Sequence, residues 1–169
     1  MDEKLKTDFL EGMSRAATFV AVAATDGHRG RFGVTVSSMT SLSTEGEYPS
    51  LLICVHYLSL AAPAMLANRG FCLNLLNEDQ SDIANLFAGR EGENSSTRFD
   101  NVNWTPSANG HPMIDGAVAN FECQMATELW WKTHHVIIGE VTYVRLSEDH
   151  RPLLYGGRAY QRAVSLAEK

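Results

Sequence analysis

The sequence predicts a mostly β, α+β fold in which short helices pack on an antiparallel β-barrel. Apolar runs of strand length outnumber helical patterns along the chain, and strands and helices do not alternate as βαβ units. The chain also lacks the Gly-x-Gly-x-x-Gly fingerprint of doubly wound dinucleotide folds. Its 169 residues suit one domain with a sizeable core, and no linker or repeat divides them, so we expect a single domain over residues 1–169.

Composition narrows the possible partners. The formal net charge is −6 and no long basic run occurs, which argues against a nucleic-acid partner. No apolar run approaches the roughly 20 residues that cross a bilayer, so no membrane partner is expected. The first residues, Met-Asp-Glu-Lys-Leu-Lys, lack the apolar stretch of a signal peptide, which favours a cytoplasmic protein.

The three cysteines are predicted to be reduced, buried thiols. Cys54, Cys72 and Cys123 each lie within an apolar, strand-like run. No Cys-x-x-Cys pair is present, and the adjacent His134 and His135 should point to opposite faces of a strand. We therefore expect no metal site.

The N-terminal third is predicted to hold one helix and three strands. Residues 8–17 suggest a short amphipathic helix, and the buried strand that follows, 18–25, should close at an Asp26-Gly27 turn. Further strands are predicted at 31–36 and 50–55.

The middle of the chain is predicted to alternate between short helices and one strand. Ser59 can cap a helix that runs to residue 67, although it contains Pro63, and Gly70 can supply its left-handed C-cap. A strand at 71–76 and a helix at 80–87, ended by Gly89, should follow.

The last part of the chain is predicted to be dominated by a long hairpin. Residues 90–97 suggest a mobile loop and 101–114 an ordered irregular one. Two long strands, 117–128 and 134–146, should meet at residues 129–132.

The segment 33–43, Gly-Val-Thr-Val-Ser-Ser-Met-Thr-Ser-Leu-Ser, is the strongest indication of a binding site. Its hydroxyl side chains could hydrogen-bond a ligand rich in acceptors. An apolar strand at 49–56 is expected to lie beside it. The hydroxyl-bearing residues are Thr35, Ser37, Ser38, Thr40 and Ser41.

Together with later motifs, these segments resemble the short-chain flavin reductases, the small partners of two-component monooxygenases. The matching pieces stand in the family's order along almost the whole chain. They are residues 33–43, 49–56, 68–76 (Asn-Arg-Gly-Phe-Cys-Leu-Asn-Leu-Leu), Gln80, 87–89 (Phe-Ala-Gly), 133–141 (beginning Thr-His), 152–155 (Pro-Leu-Leu-Tyr), Arg158 and Tyr160.

The resemblance implies an FMN-binding split barrel that forms a homodimer. The implied activity is that of an NAD(P)H:flavin oxidoreductase, which passes a hydride from NADH to N5 of FMN or FAD. The reduced flavin would diffuse to a partner flavin-dependent monooxygenase. The residues do not decide between FMN and FAD as the flavin, or between NADH and NADPH as the hydride donor.

The resemblance also implies a set of site residues. His134, at a hairpin tip, would be the catalytic residue on the nicotinamide side. The implied cofactor-binding residues are Thr35, Val36, Ser37, Ser38, Ser41, Cys54, Val55, His56, Ser59, Asn74, Phe87, Gly89, Tyr155 and Arg158.

Structural roles remain open for many of these residues. The hydroxyls could be the exposed face of a strand, Ser59 a plain helix cap and Phe87 a core residue. Buried Asn74 could have a structural role, with its hydrogen bonds made within the protein, and Arg158 could form a surface ion pair. His134 could be a surface residue, and Trp130 and Trp131 could clamp an aromatic ligand or pack at a dimer interface.

Two other functions remain open. The same scaffold could hold flavin tightly and pass electrons to another acceptor, such as a cobalt corrinoid or a quinone. The apolar run from Leu58 to Ala62 could line the larger pocket that this acceptor needs. Alternatively, the protein could be a non-catalytic flavin- or haem-binding module.

Overall fold

The computed structural model describes residues 2–89 and 97–166, and within these ranges the chain is rich in antiparallel strands with a few short helices. The helical elements are α1 (Glu3–Ser14), α2 (Ala61–Asn68), α3 (Ser81–Phe87) and a 3-10 turn (Arg98–Asn101). The strands are β1 (Thr18–Phe19), β2 (Ala21–Thr25), β3 (Phe32–Val36), β4 (Met39–Ser43), β5 (Ser50–His56), β6 (Gly70–Leu75), β7 (Trp104–Pro106), β8 (Pro112–Ile114), β9 (Ala119–Trp131), β10 (His134–Leu146), β11 (Leu153–Gly156) and β12 (Ala159–Arg162).

Seven of these strands form the main sheet, in the order β3-β2-β6-β9-β10-β5-β4, and every neighbouring pair is antiparallel. The sheet curls so that parts of β3 and β5 come within 8 Å of each other. A curled sheet of this kind is the barrel that the sequence predicts, so the predicted fold class is confirmed.

The hydrophobic core has two parts that share one strand. Ala21 and Ala23 of β2 lie in the part inside the barrel, together with Phe71. Val22 and Ala24 lie in the part between β2 and α3. Both faces of β2 are therefore covered, which explains why its run of small apolar side chains is wholly buried.

Two smaller sheets complete the fold. Strands β1, β11 and β12 form one, and β7 pairs with β8 in the other. In the two described ranges, none of the helices combines the length and the apolar character needed to cross a bilayer.

Several predicted boundaries are corrected by the structure. Helix α1 begins at Glu3, where Asp2 caps it by accepting a hydrogen bond from the Lys4 amide. The predicted strand 18–25 is interrupted at Val20, because its first residues pair with β11 and the rest with β3 and β6. The predicted irregular loop 101–114 contains the β7–β8 hairpin.

Helix α2 also differs from its prediction at both ends. It begins two residues after Ser59, whose Oγ accepts a hydrogen bond from the Ala61 amide. Its left-handed C-cap is Arg69, with φ 59°, and not Gly70. Gly70 serves close packing instead, because a Cβ there would lie 2.4 Å from Nε2 of His111.

The hydroxyl-rich segment forms two strands where one was expected. The predicted neighbour 49–56 does lie beside part of this segment, because β5 pairs with β4. The predicted mobile loop 90–97 falls outside the described residues except for Thr97.

Candidate functional site

A cleft of about 430 Å³ opens beside the main sheet, within the size range of small-molecule sites. It lies between β3, the turn that follows β5, and the C-terminal end of α3. Its lining residues are Gly33, Val34, His56, Leu58, Ser59, Leu60, Ala61, Phe87, Ala88, Gly89 and Arg98.

One wall of the cleft depends on close packing between α3 and β3. A Cβ at Gly33 would lie 2.7 Å from Cε1 of Phe87 and 3.1 Å from Cζ of Phe99, so a glycine is required there. The hydroxyl of Thr35 donates a 2.7 Å hydrogen bond to the Ala84 carbonyl, which ties α3 to the strand. Phe87 is therefore held between the core and the cleft.

The opposite wall is a tight turn between β5 and α2. The His56 carbonyl accepts a 2.9 Å hydrogen bond from the Ser59 amide, and Nδ1 of His56 accepts one of 3.1 Å from the Leu58 amide. This turn brings Ser59 and the first residue of α2 to the cleft. The first N–H groups of α2 are themselves engaged, because the Ala61 amide donates to Oγ of Ser59 and the Ala62 amide donates to the Ser59 carbonyl, and Pro63 has no N–H.

His134 stands next to this wall, directly opposite His56 across the β10–β5 ladder. The neighbouring pair is hydrogen-bonded, because the Tyr57 amide donates to the Thr133 carbonyl at 3.0 Å. His56 and His134 therefore occupy a non-hydrogen-bonded position, where side chains lie closest. Their ring centroids are 5.0 Å apart in an edge-to-face arrangement.

The electrostatic setting keeps His134 neutral at pH 7. Partial removal from water and the nearby His56 both lower the pKa of His134 below its ordinary value. Its Nδ1 lies 3.0 Å from Oγ1 of Thr133, which leaves Nε2 available to a ligand.

Asn74 is placed away from the cleft, in a fully buried network. Its amide nitrogen donates to the carbonyls of Val22 (3.0 Å) and Pro112 (3.2 Å). Its carbonyl oxygen accepts from the Ile114 amide at 2.8 Å and from Nδ2 of Asn120 at 2.6 Å. These bonds occupy its polar atoms, and Asn74 is not among the residues that line the cleft.

The hydroxyl-rich segment contributes less to the cleft than the sequence predicts. Oγ of Ser38 bridges the carbonyl and the amide of Cys54 on β5, each at 3.1 Å, while Ser37 is exposed. Val36 and Val55 are buried in the barrel core. None of these five residues is among those that line the cleft.

Three further predicted residues also lie elsewhere. Ser41, on β4, faces a separate apolar groove of about 180 Å³. Tyr155 packs edge-to-face on Tyr160, with ring centroids 5.5 Å apart. Arg158 forms a 3.0 Å ion pair with Glu11 of α1, as the surface alternative expects.

The structure brings together His56, Ser59, Phe87 and Gly89 of the predicted set, with His134 beside them. Sequence reasoning missed Arg98, the cationic side chain among the cleft-lining residues. It follows a polar stretch that predicts a loop, so nothing local identified it as a ligand residue.

Comparisons with known proteins show the family of the chain. The model of the flavin reductase like domain matches residues 13–163. An FMN reductase (NADH), RutF, from Stutzerimonas stutzeri strain A1501 is 33% identical over 92% of this chain and 87% of its own.

Two solved structures have the same fold. One is the NADH:FAD oxidoreductase SgcE6 of Streptomyces globisporus C-1027 in complex with NAD and FAD fragments. It is 27% identical, with a TM-score of 0.87 over 99% of this chain and 98% of that one. The other is BorF, the flavin reductase component of a bacterial two-component tryptophan halogenase. It is 25% identical, with a TM-score of 0.85 over 95% of this chain and 99% of that one.

The fold and the cleft thus define an antiparallel β-barrel protein with a small-molecule cleft between its main sheet and two short helices. The chain belongs to the flavin reductase like family.

Proposed function

We propose that this protein is an NADH-dependent flavin reductase, which transfers a hydride from NADH to FMN or FAD. The observation that carries the proposal is an open cleft with an apolar wall, a cation and a serine hydroxyl, in a chain of this family. The relatives named as FMN reductase (NADH) and as NADH:FAD oxidoreductase support the same reaction.

The residues of the cleft fit a flavin. Val34, Leu58 and Leu60 offer apolar surface to a ring system. Arg98 and the hydroxyl of Ser59 suit a phosphate. Within the part of the chain that the structure describes, no cluster of three or more metal-ligating side chains occurs. A bound flavin supplies a hydride acceptor at N5, and the protein has only to bind both reactants face to face.

Each cleft residue then has a defined task. Ser59 and Arg98 hold the phosphate, and the backbone at Gly33 and Val34 approaches the flavin ring. His134, neutral at pH 7, offers Nε2 as a hydrogen-bond partner to the nicotinamide carboxamide and so orients the hydride donor.

The reduced flavin then leaves for a partner flavin-dependent monooxygenase. Reductase components of two-component systems among the structural neighbours support such a partner. We also propose a homodimer, because α1 exposes Leu5, Phe9, Leu10 and Met13 and buries none of its residues. Since the reaction consumes NADH, we place the protein in the cytoplasm.

The test is NADH oxidation by the purified protein with and without FMN, FAD and riboflavin. Sustained turnover that rises with free flavin is expected. His134→Asn should raise KM for NADH, whereas His150→Asn, at an exposed position outside the cleft lining, should match the wild type. No sustained oxidation with any flavin contradicts the proposal.

A second candidate function keeps the flavin bound and reduces another apolar acceptor. Leu58 and Leu60 favour it, because both line the cleft yet are 72% and 61% exposed. Turnover with free flavin that no quinone or corrinoid accelerates would exclude this version. A single stoichiometric reduction followed by no turnover would instead indicate a flavin-binding module.

A further inference from the structure

Arg98 supplies a positive charge to the cleft from a short 3-10 turn, Arg98–Asn101. Its Nη2 lies 3.6 Å from the position that a Cβ at Gly89 would take, so the guanidinium stands at the C-terminal end of α3. A turn this short has little stability of its own. The position of Arg98 therefore depends on the residues that pack against the turn.

Phe99, the next residue, anchors this turn in the core. It is 3% exposed, and its ring centroid lies 4.8 Å from that of Phe87. Consecutive residues share a planar peptide unit, so the place of the Phe99 ring limits where the backbone of Arg98 can lie. The Phe99 ring also meets the Trp104 ring edge-to-face, with centroids 6.1 Å apart.

Arg31, in the connection between β2 and β3, covers this aromatic pair. Its Cζ lies 4.1 Å from the ring centroid of Trp104 and 6.0 Å from that of Phe99. A guanidinium over an indole face makes a favourable cation–π contact, and its planar shape lets it stack there. Asp26 fixes the orientation of the guanidinium, because its Oδ2 accepts a 2.8 Å hydrogen bond from Nε of Arg31.

The backbone of Trp104 is fixed to the core independently of Arg31. Trp104 begins β7 and pairs directly with Ile114 of β8, which is fully buried. The Ile114 amide in turn donates a 2.8 Å hydrogen bond to the buried side chain of Asn74. Arg31, Trp104 and Phe99, which we call the Arg31 stack, therefore join the barrel to the 3-10 turn.

We propose that Arg31 and Trp104 are positioning residues that hold Arg98 at the flavin phosphate. This inference rests on the proposed function, which assigns the phosphate to Arg98 and Ser59. Neither Arg31 nor Trp104 is among the residues that line the cleft, so both act through the stack and not by contact with the ligand. Loss of the stack lets the turn move, and phosphate affinity falls because a guanidinium binds phosphate best in one fixed geometry.

The test is the phosphate preference, which is the Kd for riboflavin divided by the Kd for FMN, because riboflavin has no phosphate. Quenching of flavin fluorescence by the purified protein measures both constants without turnover. Arg31→Ala and Trp104→Ala should each lower the preference about threefold to tenfold, through weaker FMN binding with riboflavin binding unchanged. Trp104→Phe should retain most of the preference, since a ring remains beneath Arg31. General damage to the cleft would instead weaken both flavins equally and overturn the inference.

Arg29→Ala is the matched control, since it removes an exposed arginine from the same connection, outside the Arg31 stack. It should keep the wild-type preference, whereas an effect of net charge alone would lower the preference as much as Arg31→Ala does. Combining Arg31→Ala with Arg98→Ala should lower the preference no further than Arg98→Ala alone, because no guanidinium is left to position.

Three outcomes overturn the inference. Arg31→Ala keeps the wild-type preference, the two effects multiply in the double variant, or Arg98→Ala itself leaves the preference unchanged. The Arg31 side chain is 37% exposed, so Arg31→Ala provides the test even if Trp104→Ala does not fold, and circular dichroism verifies the fold of each variant. A preference that falls in Arg31→Ala, together with no NADH oxidation by the wild type, contradicts the proposed function alone.

Discussion

Replacing Asn74 with alanine tests whether this residue supports the fold or binds the ligand. The substitution removes both acceptor and donor atoms from a fully buried site. The Ile114 amide loses its partner, and Nδ2 of Asn120 retains only its weaker 3.2 Å bond to the Ile114 carbonyl. The carbonyls of Val22 and Pro112 also lose the hydrogen bond that the Asn74 amide donates to each.

The expected loss in free energy of unfolding is about 2–5 kcal/mol, since each unsatisfied buried group costs about 1–3 kcal/mol. This is a large share of the roughly 5–15 kcal/mol that stabilises a typical domain. In a domain of this size it lowers Tm by about 5–15 °C.

Urea unfolding followed by circular dichroism measures this loss, and KM for flavin is measured below the transition. Asn103→Ala is the control, because that side chain is exposed. We expect Asn74→Ala to be destabilised with a KM near that of the wild type. A stability loss under 1 kcal/mol together with a raised KM would refute the structural role.

Three further predictions concern the cleft and the core. Gly33→Ala should destabilise the protein by about 1–3 kcal/mol and raise KM for flavin, because its Cβ displaces Phe87; unchanged unfolding and kinetics would contradict the packing argument. Arg98→Ala should raise KM for FMN about tenfold and leave riboflavin unaffected, since riboflavin has no phosphate; an equal effect on both would place the phosphate elsewhere. Burial lowers the pKa of His111, although the nearby Glu122 and Asp26 act in the opposite direction. As the pH falls, the unfolded state therefore binds a proton at His111 before the folded state does. The free energy of unfolding should accordingly fall as the pH drops below about 6.5. His111→Gln should flatten this decline in pH-dependent urea unfolding, and an unchanged slope would show that other groups titrate.

The sequence predicts the barrel well because its strands are apolar runs separated by turn signals. Strand β10 is an example, since its buried residues recur at alternate positions from His135 to Val141. Boundaries set by tertiary contacts were not predictable in the same way. The interruption at Val20 exists because two different sheets meet there. The αL cap falls on Arg69, since Gly70 is already the first residue of β6 and pairs with Gln124.

The candidate site was predictable only where a motif coincides with the cleft. Four predicted residues at strand ends, in a turn or at a helix end come together in or beside the cleft. They are His56, Ser59, Phe87 and His134. The position of Thr35 was not predictable in this way. A hydroxyl pattern does not reveal whether the oxygen faces a ligand or a neighbouring carbonyl, and Thr35 bonds to Ala84 of α3.

The shared strand β2 has a consequence for how the protein unfolds. Its alternate side chains belong to both parts of the core, so neither part can lose its packing without exposing the same strand. The two parts should therefore melt in one cooperative transition. Val34 packs against one part and Phe87 belongs to the other, and both line the cleft. A ligand bound there holds the two halves of the core together, so its affinity contributes to the stability of the whole chain.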